Sequence, residues 1–293
     1  MSAALPSVVL EHDRYRSQSP SNALTVDIEE HFQVAAFERQ IARDSWGDHA
    51  SRVVPNTSRV LDLFAERGVH GTFFVLGWVA KRYPDLVRRI VGAGHELASH
   101  GYDHTRVIYM DAARFRADVT RTKSILEDAG GVEVRGYRAP SYSIDARNLW
   151  ALDVLQDTGH VYSSSIYPIR HDLYGMPEAP RFAFRVRPGG ILEIPVTTVQ
   201  VGGRNLPAGG GGYFRLMPYG LYRWGLRRVN RCDAQPGMFY FHPWEVDPGQ
   251  PRIAGAPLRS RLRHYTNLGT MEVRLRRLLE DFSWGRMDEV FDV

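Results

Sequence analysis

The sequence is poor in cysteine, with Cys232 the only one among its 293 residues. A disulfide framework within the chain is therefore excluded, which favours a reducing compartment. Long hydrophobic runs are also missing, because no stretch reaches the roughly 20 apolar residues that a membrane span needs. Residues 1–20 lack the charged and then apolar pattern of a secretory signal. We therefore expect a cytoplasmic protein without a transmembrane segment.

Charge of one sign is not concentrated in any part of the chain. The formal net charge is only +4, and the arginines are spread along the predicted helices. Nucleic-acid-binding proteins usually carry a basic stripe, so the sequence predicts no nucleic-acid partner. The contents of 43% hydrophobic and 24% charged residues are ordinary for a globular protein.

Short apolar runs alternate with helical patterns from residue 22 onward. The predicted strands are 23–27, 71–76, 96–99, 134–137, 161–164, 191–196 and 238–242. The predicted helices are 56–67, 84–91, 112–130, 145–156 and 271–282. This alternation predicts an α/β fold with parallel strands and helical crossovers, and we favour a distorted (β/α) barrel of about seven strands.

The rest of the domain organisation is less regular. Residues 1–21 are expected to form a loose leader, and residues 22–293 a single domain. Within that domain, residues 243–293 are expected to be an irregular C-terminal extension, because their first half is rich in proline. The glycine run in residues 207–213 predicts a mobile loop over a site.

Two histidines give the strongest chemical signal. His100 and His104 stand four residues apart directly after an apolar run, so both rings can reach one metal ion from one side of a turn. Upstream, another apolar run ends in the carboxylates Asp27, Glu29 and Glu30. Two histidines and one carboxylate leave a coordination position for a reactive water. The sequence therefore predicts metal-assisted hydrolysis.

Polar residues follow several predicted strands. Asp27, His100, Arg138 and His242 all fall at or just beyond the C-terminal end of a strand, the edge where barrel enzymes gather catalytic residues. Each feature has a structural alternative when taken alone. The histidine pair could be solvated or packed in the core, and the acidic cluster could be the start of a helix. Their order along successive strands favours one shared site.

In that order the segments resemble the motifs of the NodB-type polysaccharide deacetylases, carbohydrate esterase family four. The five segments are Thr25-Val-Asp-Ile-Glu29, Ser99-His-Gly-Tyr-Asp-His104, Arg138-Ala-Pro-Ser-Tyr142, Tyr162-Ser-Ser-Ser165 and Phe241-His242. Two further segments, Gly211-Gly-Tyr-Phe-Arg215 and His242-Pro-Trp-Glu245, are similar to a subgroup with an extra C-terminal region. That subgroup accompanies exopolysaccharide biosynthesis in bacteria with exosortase (PEP-CTERM) systems.

The resemblance implies a barrel-like hydrolase that removes N-acetyl groups from an N-acetylhexosamine-containing polysaccharide or its lipid-linked precursor. It implies that Asp27 is the general base, that His242 is the acid for the departing amine, and that Arg138 orients Asp27. The amide of Ser141 would stabilise the oxyanion.

The resemblance also implies a bound divalent metal, with Zn expected and Co or another divalent ion as alternatives. Its ligands would be Glu29, His100 and His104. The aromatic residues Tyr142, Tyr213 and Trp244 would contact the N-acetylated glycan. Peripheral association with a polysaccharide synthesis complex is compatible with these features.

Three positions depart from the family pattern. The first motif usually has adjacent aspartates, but Ile28 follows Asp27, so the ligand role passes to Glu29 with Glu30 as its rival. Strand alternation favours Glu29, because residues 27 and 29 point to one side. Ser163 stands where the fourth motif has an aspartate, and the tyrosine of the third motif is displaced by one residue to Tyr142.

Two other functions remain open from the sequence. One is a metal-free cyclic-amide hydrolase of the same fold, which the substitution at Ile28 allows but the intact histidine pair disfavours. The other is a non-catalytic glycan-binding protein. Fold alone does not separate these alternatives.

Overall fold

The computed structural model describes residues 8–10, 15, 21–171 and 174–293. The expected loose leader, residues 1–21, lies largely outside these ranges. Among the described residues no helix combines the length and the apolar content that crossing a bilayer requires.

The strands fall close to the predicted apolar runs. Their bounds are β1 Val9–Leu10, β2 Asn22–Ile28, β3 Thr72–Val75, β4 Glu96–Ser99, β5 Gly136–Tyr137, β6 Tyr162–Ser163, β7 Phe184–Arg185, β8 Leu192–Glu193, β9 Thr198–Val201, β10 Arg204–Pro207, β11 Met238–Phe241 and β12 Trp284–Gly285.

The helices occupy most of the intervals between the strands. Their bounds are α1 Val53–Arg67, α2 Gly77–Arg82, α3 Pro84–Gly92, α4 Ala112–Gly130, α5 Trp150–Asp157, α6 Gly211–Leu216, α7 Tyr219–Cys232, α8 Leu258–Tyr265, α9 Leu268–Asp281 and α10 Met287–Val290. Short 3-10 turns cover Ala35–Phe37, Arg43–Asp48, Val107–Tyr109, Pro140–Tyr142 and Pro243–Val246.

Seven strands form a parallel ladder in the order β8-β6-β5-β4-β3-β2-β11. These are the seven strands that the sequence predicts, and the α/β fold is confirmed. Strand β7 adds to β8 in antiparallel orientation, and β1 adds to β7. Parallel strands need crossover connections, and α1 to α5 provide them along the first half of the chain.

The two ends of the parallel ladder approach each other without forming a continuous ladder among the described residues. The Thr197 hydroxyl, just after β8, accepts a hydrogen bond from the Met238 amide at 2.5 Å. The Gly209 carbonyl accepts one from the Tyr240 amide at 2.8 Å. The expected barrel is thus closed only by isolated contacts.

Strand β2 is buried on both faces, and its side chains point alternately into two separate hydrophobic clusters. Leu24, Val26 and Ile28 point toward the helices, where they pack in one large cluster with α1, α3 and α9. Ala23 belongs to a second, inner cluster, and Thr25 and Asp27 share its side of the strand. This parity places the Asp27 carboxylate inside the ring of strands.

The C-terminal extension is more regular than the sequence indicates. It contains α8, α9 and α10, and β12 pairs in parallel with β2. Met271 and Leu275 of α9 are fully buried in the helix-layer cluster. Residues 247–257 are the irregular part, so most of the extension completes the core.

The predicted mobile glycine loop is instead a tightly packed segment. A Cβ at Gly209 would lie 2.2 Å from a Val196 methyl group, and one at Gly210 would lie 2.1 Å from the Tyr240 carbonyl oxygen. Gly210 also has φ +118, which favours glycine. The glycines therefore allow close approach to β11, and α6 begins at Gly211.

Candidate active site

Three predicted metal ligands come together at the C-terminal edge of the parallel strands. Glu29, His100 and His104 each offer a ligand atom within 4.8 Å of the other two, and all three are buried. His104 Nε2 lies 3.0 Å from a carboxylate oxygen of Glu29. Glu29 follows β2 and the histidines follow β4, so the two strands on either side of β3 position the triad.

The loop after β4 is shaped to present both rings. Gly101 has φ +72 and His104 has φ +56, so the chain turns sharply between the two histidines. The Gly101 carbonyl accepts the Gly77 amide at 2.9 Å, which ties the loop to the start of α2. The turn thereby brings the His100 and His104 rings close enough to bind one ion.

The chemistry of this donor set fits a divalent metal. His100 Nδ1 hydrogen-bonds the Arg138 carbonyl at 2.9 Å, which leaves Nε2 as the coordinating nitrogen. A backbone carbonyl behind a metal-binding histidine fixes its tautomer and orientation. Burial lowers the pKa of His100 to about 4. Burial raises the pKa of Glu29, but the charges of His104 and His242 outweigh it and lower the pKa to about 2. A neutral imidazole and an ionised carboxylate are the forms that bind metal.

Glu30, the rival ligand, has a structural task. Its carboxylate accepts the amides of Arg52 at 3.0 Å and Val53 at 3.2 Å, and also the Ser51 hydroxyl. These amides lie at the start of α1, where helical N–H groups lack partners within the helix. Glu30 therefore caps α1, while Glu29 faces the histidines.

The predicted base Asp27 is held by Arg138. The guanidinium Nη1 donates to Asp27 Oδ1 at 2.5 Å and to the Thr25 hydroxyl at 2.8 Å. Burial lowers the pKa of Arg138, but the Asp27 charge and hydrogen bond raise it above its usual value. Arg138 stays charged, and Asp27 keeps one oxygen toward the cavity, where His242 Nε2 lies 4.0 Å away.

The predicted acid His242 has a buried partner that sequence reasoning missed. Its Nδ1 lies 2.8 Å from Glu245 Oε1, and the Arg215 Nε donates to the other Glu245 oxygen at 2.6 Å. The sequence His242-Pro-Trp-Glu245 forms a short capped turn in which Glu245 also accepts the His242 amide. Burial lowers the pKa of His242, but Glu29, Glu245 and Asp27 together raise it to about 9.

Comparison with known proteins relates the chain to two family models. Residues 45–162 match the polysaccharide deacetylase family model. Residues 164–292 match a second model, a domain of unknown function, DUF3473.

Curated relatives match between a third and two fifths of the chain. A chitooligosaccharide deacetylase of Sinorhizobium fredii is 36% identical over 116 residues, 38% of this chain and 49% of that protein. A peptidoglycan-N-acetylglucosamine deacetylase of Bacillus cereus is 31% identical over 98 residues, 33% of this chain and 36% of that protein. The chain thus spans less than half of the length of these relatives.

A solved structure supports the fold over nearly the whole chain. A Mycobacterium smegmatis protein assigned as a polysaccharide deacetylase superposes with a TM-score of 0.61 at 20% identity, covering 98% of this chain and 93% of that one. At this identity the likeness establishes the fold.

The departure from the deacetylase pattern at Ile28 has a simple geometric reason. Ile28 is fully buried and points into the helix-layer cluster, so no side chain at position 28 reaches the triad. The carboxylate comes from the next residue, Glu29, just beyond the last residue of β2. The parity of the strand had favoured this choice.

The departure at Ser163 is accompanied by a carboxylate on the neighbouring strand. The Ser163 hydroxyl bonds that of Ser165 at 2.8 Å. Glu193, paired in register with Ser163, is fully buried and accepts the Ser165 amide at 2.8 Å. Burial raises the pKa of Glu193, and the nearby Arg138 charge opposes that rise. Because β6 and β8 are distant in sequence, the motif alone did not indicate this neighbour.

A cavity of about 270 Å³ opens onto the candidate active site. Asp27, Glu29, His100, His104 and His242 line it together with the four residues predicted to contact substrate, which are Ser141, Tyr142, Tyr213 and Trp244. Predicted site residues from distant segments of the chain thus line one cavity.

The four predicted substrate contacts differ in exposure. Tyr142 and Trp244 are 5% exposed, and the Trp244 indole donates to Glu29 at 3.3 Å while its ring stacks on His242 and His264. Trp244 therefore positions the site rather than offering an open face. Tyr213 is partly exposed and is better placed to stack on a sugar. Ser141 has φ +53 in the turn after β5.

Glu245→Gln tests the partner of the acid. Loss of the carboxylate charge is expected to lower kcat for acetate release by roughly 10- to 100-fold, less than loss of a general acid itself. Because Glu245 helps to raise the pKa of His242, the alkaline limb of the pH profile of kcat/KM should move to lower pH. Glu133→Gln, at an exposed position, is a control for the same change of side chain at the surface. An unchanged alkaline limb would show that Glu245 has only a structural role.

Proposed function

We propose that this protein is a metal-dependent hydrolase that removes N-acetyl groups from an N-acetylhexosamine-containing glycan. One observation carries the proposal: the buried Glu29–His100–His104 triad shares a cavity with Asp27 and His242. A general base and a general acid beside three metal ligands are suited to amide hydrolysis. The match of residues 45–162 to the polysaccharide deacetylase family model supports the same reaction, removal of an acetyl group.

The chain's own residues would perform the proton transfers. Asp27, fixed by Arg138, would accept a proton from the attacking water, and His242, protonated through its contact with Glu245, would deliver one to the departing amine. An amine leaves readily only when it is protonated, so an imidazolium suits that position. The cavity wall at Ser141 would contact the carbonyl oxygen as it gains charge.

A divalent ion bound by Glu29, His100 and His104 would lower the pKa of water and polarise the amide carbonyl. We propose Zn²⁺, because imidazole and carboxylate ligands in a buried three-residue set suit it. His100 would be oriented for this by the Arg138 carbonyl, and Glu29 by the Trp244 indole.

We further propose that the reaction belongs to exopolysaccharide biosynthesis in the cytoplasm, at a polysaccharide synthesis complex. The support is the resemblance of Gly211-Gly-Tyr-Phe-Arg215 and His242-Pro-Trp-Glu245 to the exosortase-associated subgroup. In the structure Arg215 and Glu245 of these two segments form one buried ion pair.

Acetate release from N-acetylglucosamine oligomers tests the function. Protein stripped of metal by a chelator is expected to lose activity, because the three ligands cannot activate water without the ion. A stoichiometric addition of Zn²⁺ or Co²⁺ should restore the activity. Zinc content should be measured on the same samples. Undiminished acetate release by the stripped protein would refute the metal dependence. Hydrolysis of a cyclic amide, with neither acetate release nor metal uptake, would favour the metal-free cyclic-amide hydrolase. Glycan binding with neither metal uptake nor release from any N-acetylated glycan would favour the binding protein.

A further inference from the structure

The helix α8 exposes leucines on its outer face. Leu258 is 70% exposed and Leu262 is 57% exposed, and they lie one turn apart on the same side of the helix. A third exposed leucine, Leu216 at 47%, lines the mouth of the active-site cavity. Neighbouring apolar side chains at this exposure mark an interaction surface when they share one face.

Arginines flank these leucines. In the sequence of α8, Leu-Arg-Ser-Arg-Leu-Arg-His-Tyr, no acidic residue occurs. At 100° per residue, Arg259 and Arg261 fall on either side of the stripe formed by Leu258 and Leu262. An apolar stripe bordered by arginines is the pattern of helices that lie in the interface of an anionic bilayer.

The opposite face of α8 is fixed to the active site. Ser260 and Arg263 line the cavity, and His264 is buried with its ring 4.0 Å from that of Trp244. The guanidinium of Arg215 donates to the carbonyls of Arg263 at 3.0 Å and His264 at 3.1 Å. The leucines are therefore held outward by a rigid support that forms the cavity wall.

We propose that the outer face of α8 docks on an anionic phospholipid bilayer and holds the mouth of the cavity at the membrane surface. The arginines would lie among phosphate groups, while Leu258 and Leu262 would enter the acyl boundary. A second copy of the chain fits this face less well. A symmetric self-contact would place Arg259 and Arg261 opposite their own counterparts, and two leucines bury too little area for a stable dimer.

Sedimentation with vesicles tests the docking in the absence of any substrate, so its outcome is independent of the deacetylase proposal. Wild-type protein is expected to bind vesicles rich in phosphatidylglycerol at least about tenfold more strongly than phosphatidylcholine vesicles, and to lose this binding at high salt. The double variant Leu258→Ser/Leu262→Ser should lower binding by roughly tenfold or more. Arg261→Gln should lower it about fivefold.

Val273→Ser is the matched control, because Val273 is 69% exposed on α9 but has no apolar residue one turn away on its face. Its neighbouring arginines are also engaged within the fold, since Arg274 donates to the Phe214 carbonyl and Arg276 pairs with Glu272. It should bind vesicles like the wild type, and all variants should keep the wild-type melting temperature. Three results would overturn the proposal: no binding to anionic vesicles, equal losses in the control and the α8 variants, or a wild-type dimer that the double variant converts to a monomer.

Discussion

Asp27→Asn is expected to lower kcat for acetate release by roughly 10²- to 10⁴-fold, the usual contribution of a general base. The asparagine has nearly the same shape and can still accept the Arg138 hydrogen bond that Asp27 Oδ1 accepts at 2.5 Å. It cannot accept a proton from water. KM should change little, because the Asp27 oxygen that faces the cavity acts on the water rather than on the sugar.

The measurement must separate chemistry from stability. Arg138 is fully buried, and removal of its charged partner leaves an uncompensated buried cation that costs about 3–5 kcal/mol. Activity should therefore be assayed well below the melting temperature of the variant, with zinc content determined on the same sample. Asp85→Asn is the matched control, since that carboxylate is 86% exposed. A folded, zinc-loaded Asp27→Asn protein with wild-type kcat would remove Asp27 from the mechanism.

The fold could be predicted where strands are buried. Strand β2 is buried throughout and apolar except at Asn22, Thr25 and Asp27, so its sequence stands out, as do those of β3, β4 and β11. The paired strands β9 and β10 were not predicted. Neither were β1, β7 and β12, which are only partly buried, although β5, β6 and β8 of the same length were. Strands β1, β7 and β12 pair only because distant segments bring partners to them, for example Trp284 beside Asn22.

Helix boundaries show the same limit. The sequence predicts that α1 begins at Asn56, but it begins at Val53, because Glu30 reaches across from the end of β2 to accept the first amides. The sequence also predicts a helix from Asp145. The chain first makes a turn in which Asn148 accepts the Asp145 amide at 2.8 Å, and α5 begins at Trp150.

The site residues could be predicted because they directly follow strands, and parallel strands gather their C-terminal ends at one edge. Their supporting partners could not be predicted in the same way. Arg215 and Glu245 stand 30 positions apart, and nothing in their spacing indicates contact. The one signal in the sequence was the arginine, Arg215, that closely follows the glycine run. It becomes informative only when the structure places it beside the turn that begins at His242.

Glu29→Gln and Glu30→Gln form a matched pair that tests the ligand assignment. Glu29→Gln is expected to lower zinc affinity by more than about 100-fold. This exceeds the loss usual when a residue that only hydrogen-bonds a metal ligand is changed. At limiting zinc, the rate of acetate release should fall in proportion. The Glu29 charge is replaced by a neutral amide beside His104. Titration calorimetry with Zn²⁺ on metal-stripped protein measures the affinity.

Glu30→Gln should give the opposite result. Its carboxylate caps α1 and carries no contact with His100 or His104, so zinc affinity should stay within about threefold of the wild-type value, while the free energy of unfolding should fall by about 1–2 kcal/mol. Urea unfolding measures that change. If Glu30→Gln lost zinc and Glu29→Gln kept it, the ligand assignment would be reversed. Wild-type zinc affinity in both variants would mean that neither carboxylate binds the ion, because two adjacent residues on opposite sides of a strand end cannot replace each other at one metal.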